Sequence, residues 1–77
     1  MNAAYKLLLG KLRGTVKADL IRAERAWLSF HGTTEAFESS LYGNESVSNF
    51  QTMQNGIFRL CERANTLEKY LAIANDQ

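Results

Sequence analysis

Apolar and small residues recur at alternating steps of four and three through one long stretch of the chain, and this spacing constrains the fold more than any other feature. The positions are Val16, Leu20, Ala23, Trp27, Phe30, Thr34, Phe37 and Leu41. Such spacing is typical of a helix packed lengthwise against a partner. Because it continues without a break across His31 and Gly32, we predict one helix over about residues 16–40.

A second stretch repeats the pattern after a turn, at Phe50, Met53, Ile57, Leu60, Ala64, Leu67 and Leu71. The segment Tyr42-Gly43-Asn44-Glu45 separates the two stretches and has turn chemistry, because glycine and asparagine tolerate positive φ. Ser48 with Gln51 forms a capping-box pattern, which predicts a helix start. We therefore expect a helix over about residues 48–73, with Phe50 closing the interface beneath the turn.

The N-terminal segment predicts a short helix over about residues 3–12, with Asn2 as its N-cap and Gly14 after its end. Two long helices joined by a short turn form an antiparallel hairpin. The chain has 77 residues and no proline, and we predict an all-α fold in a single domain over residues 1–77. Its architecture is an antiparallel hairpin of two long helices with a short N-terminal helix packed on it. Trp27 is expected to lie buried against the last helix near Ala64 or Leu67.

The composition predicts no membrane span and no disulfide. The apolar cluster Leu7 to Leu9 is far shorter than the ~20 residues that cross a bilayer. A secretory signal pattern is missing, so the expected location is cytoplasmic as written, and periplasmic only if this is a processed or truncated form. Cys61 stands alone, which excludes an intramolecular disulfide, and we expect it to be a small core residue.

Neither an enzyme nor a cofactor is expected. The chain has no glycine-rich phosphate loop and no nucleophile elbow. His31, Glu35 and Glu38 have a helical spacing that could approach a cation, but they lack ligands from a second helix, so no metal site is predicted. The net charge is +1. Nucleic-acid binding through the basic first half therefore remains a minor hypothesis.

The turn carries the candidate recognition residues. Tyr42 sits beside Gly43, where an aromatic side chain is hard to bury, and acidic and amide groups gather around it. We predict a partner-binding site at Glu38, Tyr42, Asn44 and Glu45, suited to a basic protein. The alternative is a tyrosine folded back onto Phe50. A second hypothesis is a structural self-association domain, since a core this small often gains stability from a homodimer.

Three stretches resemble the LprI-type lysozyme-inhibitor family. Met1-Asn2-Ala3-Ala4-Tyr5 is similar to its LN-x-x-Y start, and Arg25-Ala26-Trp27-Leu28-Ser29-Phe30 to its RAW signature. Arg63, followed by Leu67 and Tyr70, resembles its closing R-x-x-x-L-x-x-Y pattern. The resemblance implies a non-enzymatic α-helical domain that binds and blocks another protein, such as a lysozyme.

Members of that family are typically periplasmic or lipid-anchored, and a cysteine pair ties their two long helices together. Glu35 stands at one cysteine position here, and the other falls near Asn55, while His31-Gly32 replaces an arginine-aspartate pair. The resemblance implies that Glu35 and Asn55 lie close enough for a side-chain hydrogen bond to replace the covalent link.

Overall fold

A computed structural model describes residues 2–43 and 46–76, and the side chains of residues 3–43 and 49–76. It contains three helices: α1 Asn2–Lys11, α2 Gly14–Tyr42 and α3 Ser46–Asn75. Both α1 and α2 pack against α3, so the predicted all-α hairpin with a short N-terminal helix is confirmed. No described helix is both long enough and apolar enough to traverse a lipid bilayer.

Helix α2 passes through Gly32 without interruption, as the spacing of its apolar residues predicts. The Thr33 hydroxyl donates to the carbonyl oxygens of Ser29 at 2.9 Å and Phe30 at 3.1 Å, so this polar side chain is satisfied within the helix. The helix ends at Gly43, whose φ of 86° favours glycine. The Gly43 N–H donates to the carbonyl of Ser39 at 3.0 Å, which closes the last turn.

Helix α3 begins at Ser46, two residues before the predicted start. Ser48 therefore lies inside the helix, and the prediction that the Ser48–Gln51 capping box marks the helix start is wrong. The two long helices are nevertheless of nearly equal length, 29 and 30 residues, so they can pair along their whole length in an antiparallel hairpin. The molecule is accordingly elongated, with extents of 48 × 19 × 13 Å.

The apolar core lies at the end of the hairpin far from the turn. It contains residues from all three helices: Ala4, Leu8, Leu20, Leu67 and Leu71. Tyr5, Leu9, Leu12 and Ala74 pack around it. Helix α1 therefore closes the open end of the hairpin, and the burial of Ala4 and Leu8 contributes apolar stabilisation there.

Most of the apolar positions predicted to join α2 and α3 do not face each other. Of the eight on α2, Leu20 is buried, Trp27 and Thr34 are half-buried, and the rest are exposed. On α3, Leu67 and Leu71 are buried, whereas Phe50, Met53 and Ile57 are more than half exposed. The predicted burial of Phe50 is thus wrong. Trp27 does lie against α3, beside Arg63, but it is half-buried rather than buried.

Candidate functional site

Polar side chains, rather than apolar ones, join α2 to α3 along most of the hairpin. On α2 they are Glu24, His31, Glu35 and Glu38, and on α3 they are Asn55, Arg59 and Arg63. We call this set the polar interface. The α2 residues Glu24, His31 and Glu38 recur every seven positions, so one side of the helix carries all three.

At the core end of the polar interface, Arg63 donates from Nε to Glu24 Oε1 at 2.9 Å. The guanidinium carbon of Arg63 also lies 5.8 Å from the centre of the Trp27 ring, within the range of a cation–π contact. Trp27 in turn stacks on His31, with ring centres 5.1 Å apart and planes 9° from parallel. Trp27 therefore packs beside the charged pairs, which explains why it stays half-buried.

In the middle of the polar interface, His31 connects both helices. Its Nδ1 accepts a hydrogen bond from Arg59 Nε at 3.2 Å, and its Nε2 lies 3.1 Å from Glu35 Oε1. Arg59 also donates from Nη1 to Glu38 Oε1. One arginine on α3 is thereby held by two residues of α2 that are seven positions apart, which fixes the register of the two helices.

Glu38 is buried in this arrangement, with 6% of its surface exposed. Asn55 Nδ2 donates to Glu38 Oε2 at 2.6 Å. This hydrogen bond, followed by the one from Arg59, lowers the pKa of the Glu38 carboxyl below its ordinary value. The sequence-based view of Glu38 as an exposed anion beside the turn is therefore corrected, since its charge is used inside the hairpin.

Tyr42 lies at the turn end of the polar interface and is 38% exposed. Its hydroxyl oxygen is 3.5 Å from Asn55 Nδ2. Gln51 Nε2 donates to Asn55 Oδ1 at 2.9 Å, so both ends of the Asn55 amide are engaged. The structure thus links Tyr42 to Glu38 through Asn55. Asn44 and Glu45, the other two predicted recognition residues, lie outside the described residues.

Glu35 and Asn55 do not form the predicted hydrogen bond. Glu35 Oε1 instead lies against the backbone of Gly56, where a Cβ atom would be only 2.7 Å away. Asn55 bonds Glu38, which is three residues further along α2. The prediction that α2 and α3 lie close together at Glu35 is therefore correct, although Glu35 meets Gly56 rather than Asn55. The prediction of a direct bond is wrong.

Several apolar side chains near the turn end of the hairpin are uncovered. Leu41, Phe50 and Met53 are each more than half exposed. Leu41 is next to the last residue of α2 and Phe50 lies in the second turn of α3, so both lie near the connection between the helices. The hairpin end therefore presents aromatic and aliphatic surface, which the interpretation based on acidic residues does not include.

The described residues include no cluster suited to a metal ion. Within residues 2–43 and 46–76, no group of three His, Cys, Asp or Glu side chains is placed to hold a metal ion. Cys61 is exposed on α3, contrary to its expected place in the core.

The regular spacing of Glu24, His31 and Glu38 is the signal from which the polar interface could have been found in the sequence.

Comparison with known proteins gives one family. The sequence model of the family described as "Lysozyme inhibitor LprI" matches residues 1–72. Searches of curated proteins and of solved structures found no match. The family match includes all of α1 and α2 and most of α3, so it extends over the core and the polar interface alike. This chain belongs to the lysozyme inhibitor LprI family.

Proposed function

We propose that this protein is a non-enzymatic binding module that inhibits a partner enzyme of the lysozyme type, and that the turn end of the hairpin forms part of its contact surface. Family membership is the observation that carries the inhibitory role, since the family is described by inhibition of lysozyme. An inhibitor needs a stable surface complementary to its target rather than catalytic groups of its own.

The arrangement at Tyr42 supports the turn end as that surface. A tyrosine gives a large contact area with few rotatable bonds, and exposed aromatic side chains are common anchors of protein interfaces. Asn55 lies beside the Tyr42 hydroxyl and is itself held by Glu38 and Gln51. Such positioning before binding reduces the entropy lost when the complex forms.

The neighbouring residues suit a contact of mixed character. Leu41 and Phe50 offer apolar area on either side of the turn. Asn44 and Glu45 follow Tyr42 in sequence and supply an amide and a carboxylate. A carboxylate at the edge of an apolar contact favours a basic partner and accelerates its association, so Glu45 is the residue we assign to charge recognition. Glu38 has the supporting role of holding Asn55.

The test is an inhibition assay with purified basic muramidases, in which hydrolysis of peptidoglycan is measured against inhibitor concentration. The wild-type protein is expected to inhibit, and Tyr42→Ala combined with Glu45→Ala is expected to raise the inhibition constant by about 100-fold, as loss of an aromatic anchor and a charge commonly does. Helical circular dichroism of the variant verifies that the fold is intact.

Tyr70→Ala is the matched control, because Tyr70 is 45% exposed and lies on α3 at the other end of the hairpin. It should leave the inhibition constant unchanged. Equal inhibition by the wild type and the double variant would remove the turn end from the proposal. Absence of inhibition by the wild-type protein would remove lysozyme-type enzymes as its target.

A further inference from the structure

A regular apolar stripe on α2 is left uncovered by the rest of the chain. It consists of residues at seven-residue intervals, Val16, Ala23, Phe30 and Phe37, all of them exposed. We call this set the α2 stripe. It extends for about 32 Å along the helix. Apolar residues at this interval are typical of helices that pack lengthwise against another helix, but α3 occupies the neighbouring polar face instead.

An aromatic residue of α3 extends the α2 stripe sideways. The bonds Asn55–Glu38 and Arg59–His31 set the register of the helices, and they place Phe58 between the levels of Phe30 and Phe37 along the hairpin. Phe58 is itself 64% exposed.

Phe58 also lies on the same side of the hairpin as the α2 stripe. Phe30 and Glu62 line one cavity of about 300 Å³, and Phe58 precedes Glu62 by one helical turn. Three exposed phenylalanines, Phe30, Phe37 and Phe58, therefore lie on the same side of the hairpin.

Hollows beside the α2 stripe can accept side chains from another helix. The cavity of about 300 Å³ adjoins Phe30 and Trp27. A second cavity of about 400 Å³ adjoins Val16 and Ala23 near the core end. Ridges of large side chains that alternate with hollows are what knobs-into-holes packing requires of both surfaces. The face of this chain that carries the α2 stripe has both the ridges and the hollows.

The elongated chain exposes more surface than a compact monomer of its mass. It has 5536 Å² of accessible surface, whereas a folded monomer of its mass typically exposes about 4,700 Å². The excess of roughly 800 Å² is similar in size to the area that each partner contributes to a standard protein–protein interface.

We propose that two copies of this protein associate through the α2 stripe and Phe58 to form a symmetric dimer, a bundle of four long helices. In a dimer with a twofold axis the same patch of each copy forms the interface, so the α2 stripe of one copy meets a stripe of equal length on the other. The net charge of +1 gives little repulsion between copies. The stripe itself is uncharged, so it fits a second copy better than it fits a basic enzyme, which would select acidic residues.

Sedimentation equilibrium of the full chain tests the proposal. The wild-type protein is expected to have twice its chain mass of 8.7 kDa at micromolar concentration. Phe30→Ser combined with Phe37→Ser should raise the dimer dissociation constant by about 100-fold or more, since each substitution acts twice in a symmetric interface. Both side chains are more than half exposed in the single chain, so helical circular dichroism should persist.

Leu28→Ser is the matched control. Leu28 is 49% exposed, and it lies about 160° around α2 from Phe30, so this variant should remain dimeric. A monomeric wild type at millimolar concentration would overturn the proposal. This measurement on the wild type tests the proposal even if the double variant does not fold. Dimerisation of the double variant with wild-type affinity would also overturn it. A monomeric wild type whose enzyme inhibition is lost in the double variant would assign the stripe to the target instead.

Discussion

Arg63 on α3 and Glu24 on α2 form an ion pair across the helix interface, with side chains that are only 11% and 6% exposed. Arg22 and Asp19 form another pair on the outer surface of α2, where the side chains are 74% and 64% exposed. The two pairs have the same chemistry and differ in burial. Burial makes the loss of one partner costly, because the remaining charge has no water to solvate it.

Arg63→Met is therefore expected to lower the free energy of unfolding by about 3 kcal/mol, since it leaves Glu24 as a buried charge without its cation. Arg22→Met is the control and should change the free energy of unfolding by less than about 1 kcal/mol, the usual range for exposed pairs. Urea denaturation followed by circular dichroism measures both. Equal effects of the two substitutions would contradict the assignment of Glu24–Arg63 as a buried structural pair.

Stability should depend on pH through Glu38. Hydrogen bonds from Asn55 and Arg59 lower the pKa of Glu38 in the folded protein below its ordinary value of 4.5. The unfolded chain therefore takes up the proton first as the pH falls. The contribution of this carboxylate to stability is fully present above pH 4.5 and is lost as the pH decreases through the lower folded pKa.

Glu38→Gln tests this dependence, because glutamine has nearly the same shape and does not titrate. The wild type should be more stable than the variant at neutral pH, and the difference should shrink below pH 4.5. Thermal melting over a series of pH values measures it. Glu68→Gln, at an exposed position of α3, is the control for loss of a surface carboxylate. A constant difference between wild type and Glu38→Gln at all pH values would contradict the expectation.

An engineered disulfide should close between positions 35 and 56. The Glu35 carboxylate reaches the backbone of Gly56, so α2 and α3 are close at this level. Cysteines at these two positions, in a Cys61→Ser background, are therefore expected to oxidise more readily than cysteines at positions 35 and 55. The bridge should stabilise the protein by roughly 3 kcal/mol, the usual gain for a loop of this length. Thiol titration and melting with and without reductant measure the outcome.

The matched variant places the second cysteine at Asn55 instead of Gly56. It should close poorly, because Asn55 is directed toward Glu38 and its replacement removes the hydrogen bond between them. Preferential oxidation of the 35–55 pair would show that α3 is rotated by one residue relative to the register described above.

Trp27→Ala is expected to lower the free energy of unfolding by about 2 kcal/mol, because a half-buried ring loses its stacking on His31 and its contact with Arg63. Trp27→Phe retains a ring and should cost less. Urea denaturation compares the two variants. A loss of more than about 4 kcal/mol in the alanine variant, as for a fully buried aromatic, would contradict the half-buried position of Trp27.

The sequence predicted the helices and their connection well, because these depend on local properties. The spacing of apolar residues continues through Gly32, and α2 is one continuous helix through this position. Gly43 supplies the positive φ at which α2 ends. The start of α3 was less well predicted, since Ser46 and Ser48 are both acceptable caps and the local pattern does not choose between them.

The surroundings of the candidate recognition residues could be predicted only in part. Tyr42 is the last residue of α2 and is 38% exposed beside Gly43, as expected, while its role in recognition stays a prediction. The burial of Glu38 was missed. A glutamate on a helix is usually solvated, and its buried state depends on Asn55 and Arg59, which lie on another helix and become its neighbours only when the hairpin closes.

The amino-acid sequence by itself determined that α2 and α3 are long amphipathic helices, but the tertiary structure decided which face of α2 meets α3. Two sets of residues repeat every seven positions on α2, one apolar and containing Phe30 and Phe37, the other polar and containing His31 and Glu38. Their period is identical, so periodicity cannot select between them. The polar set faces inward because α3 offers it complementary donors in the antiparallel register, a match that exists only between two helices and not within either one.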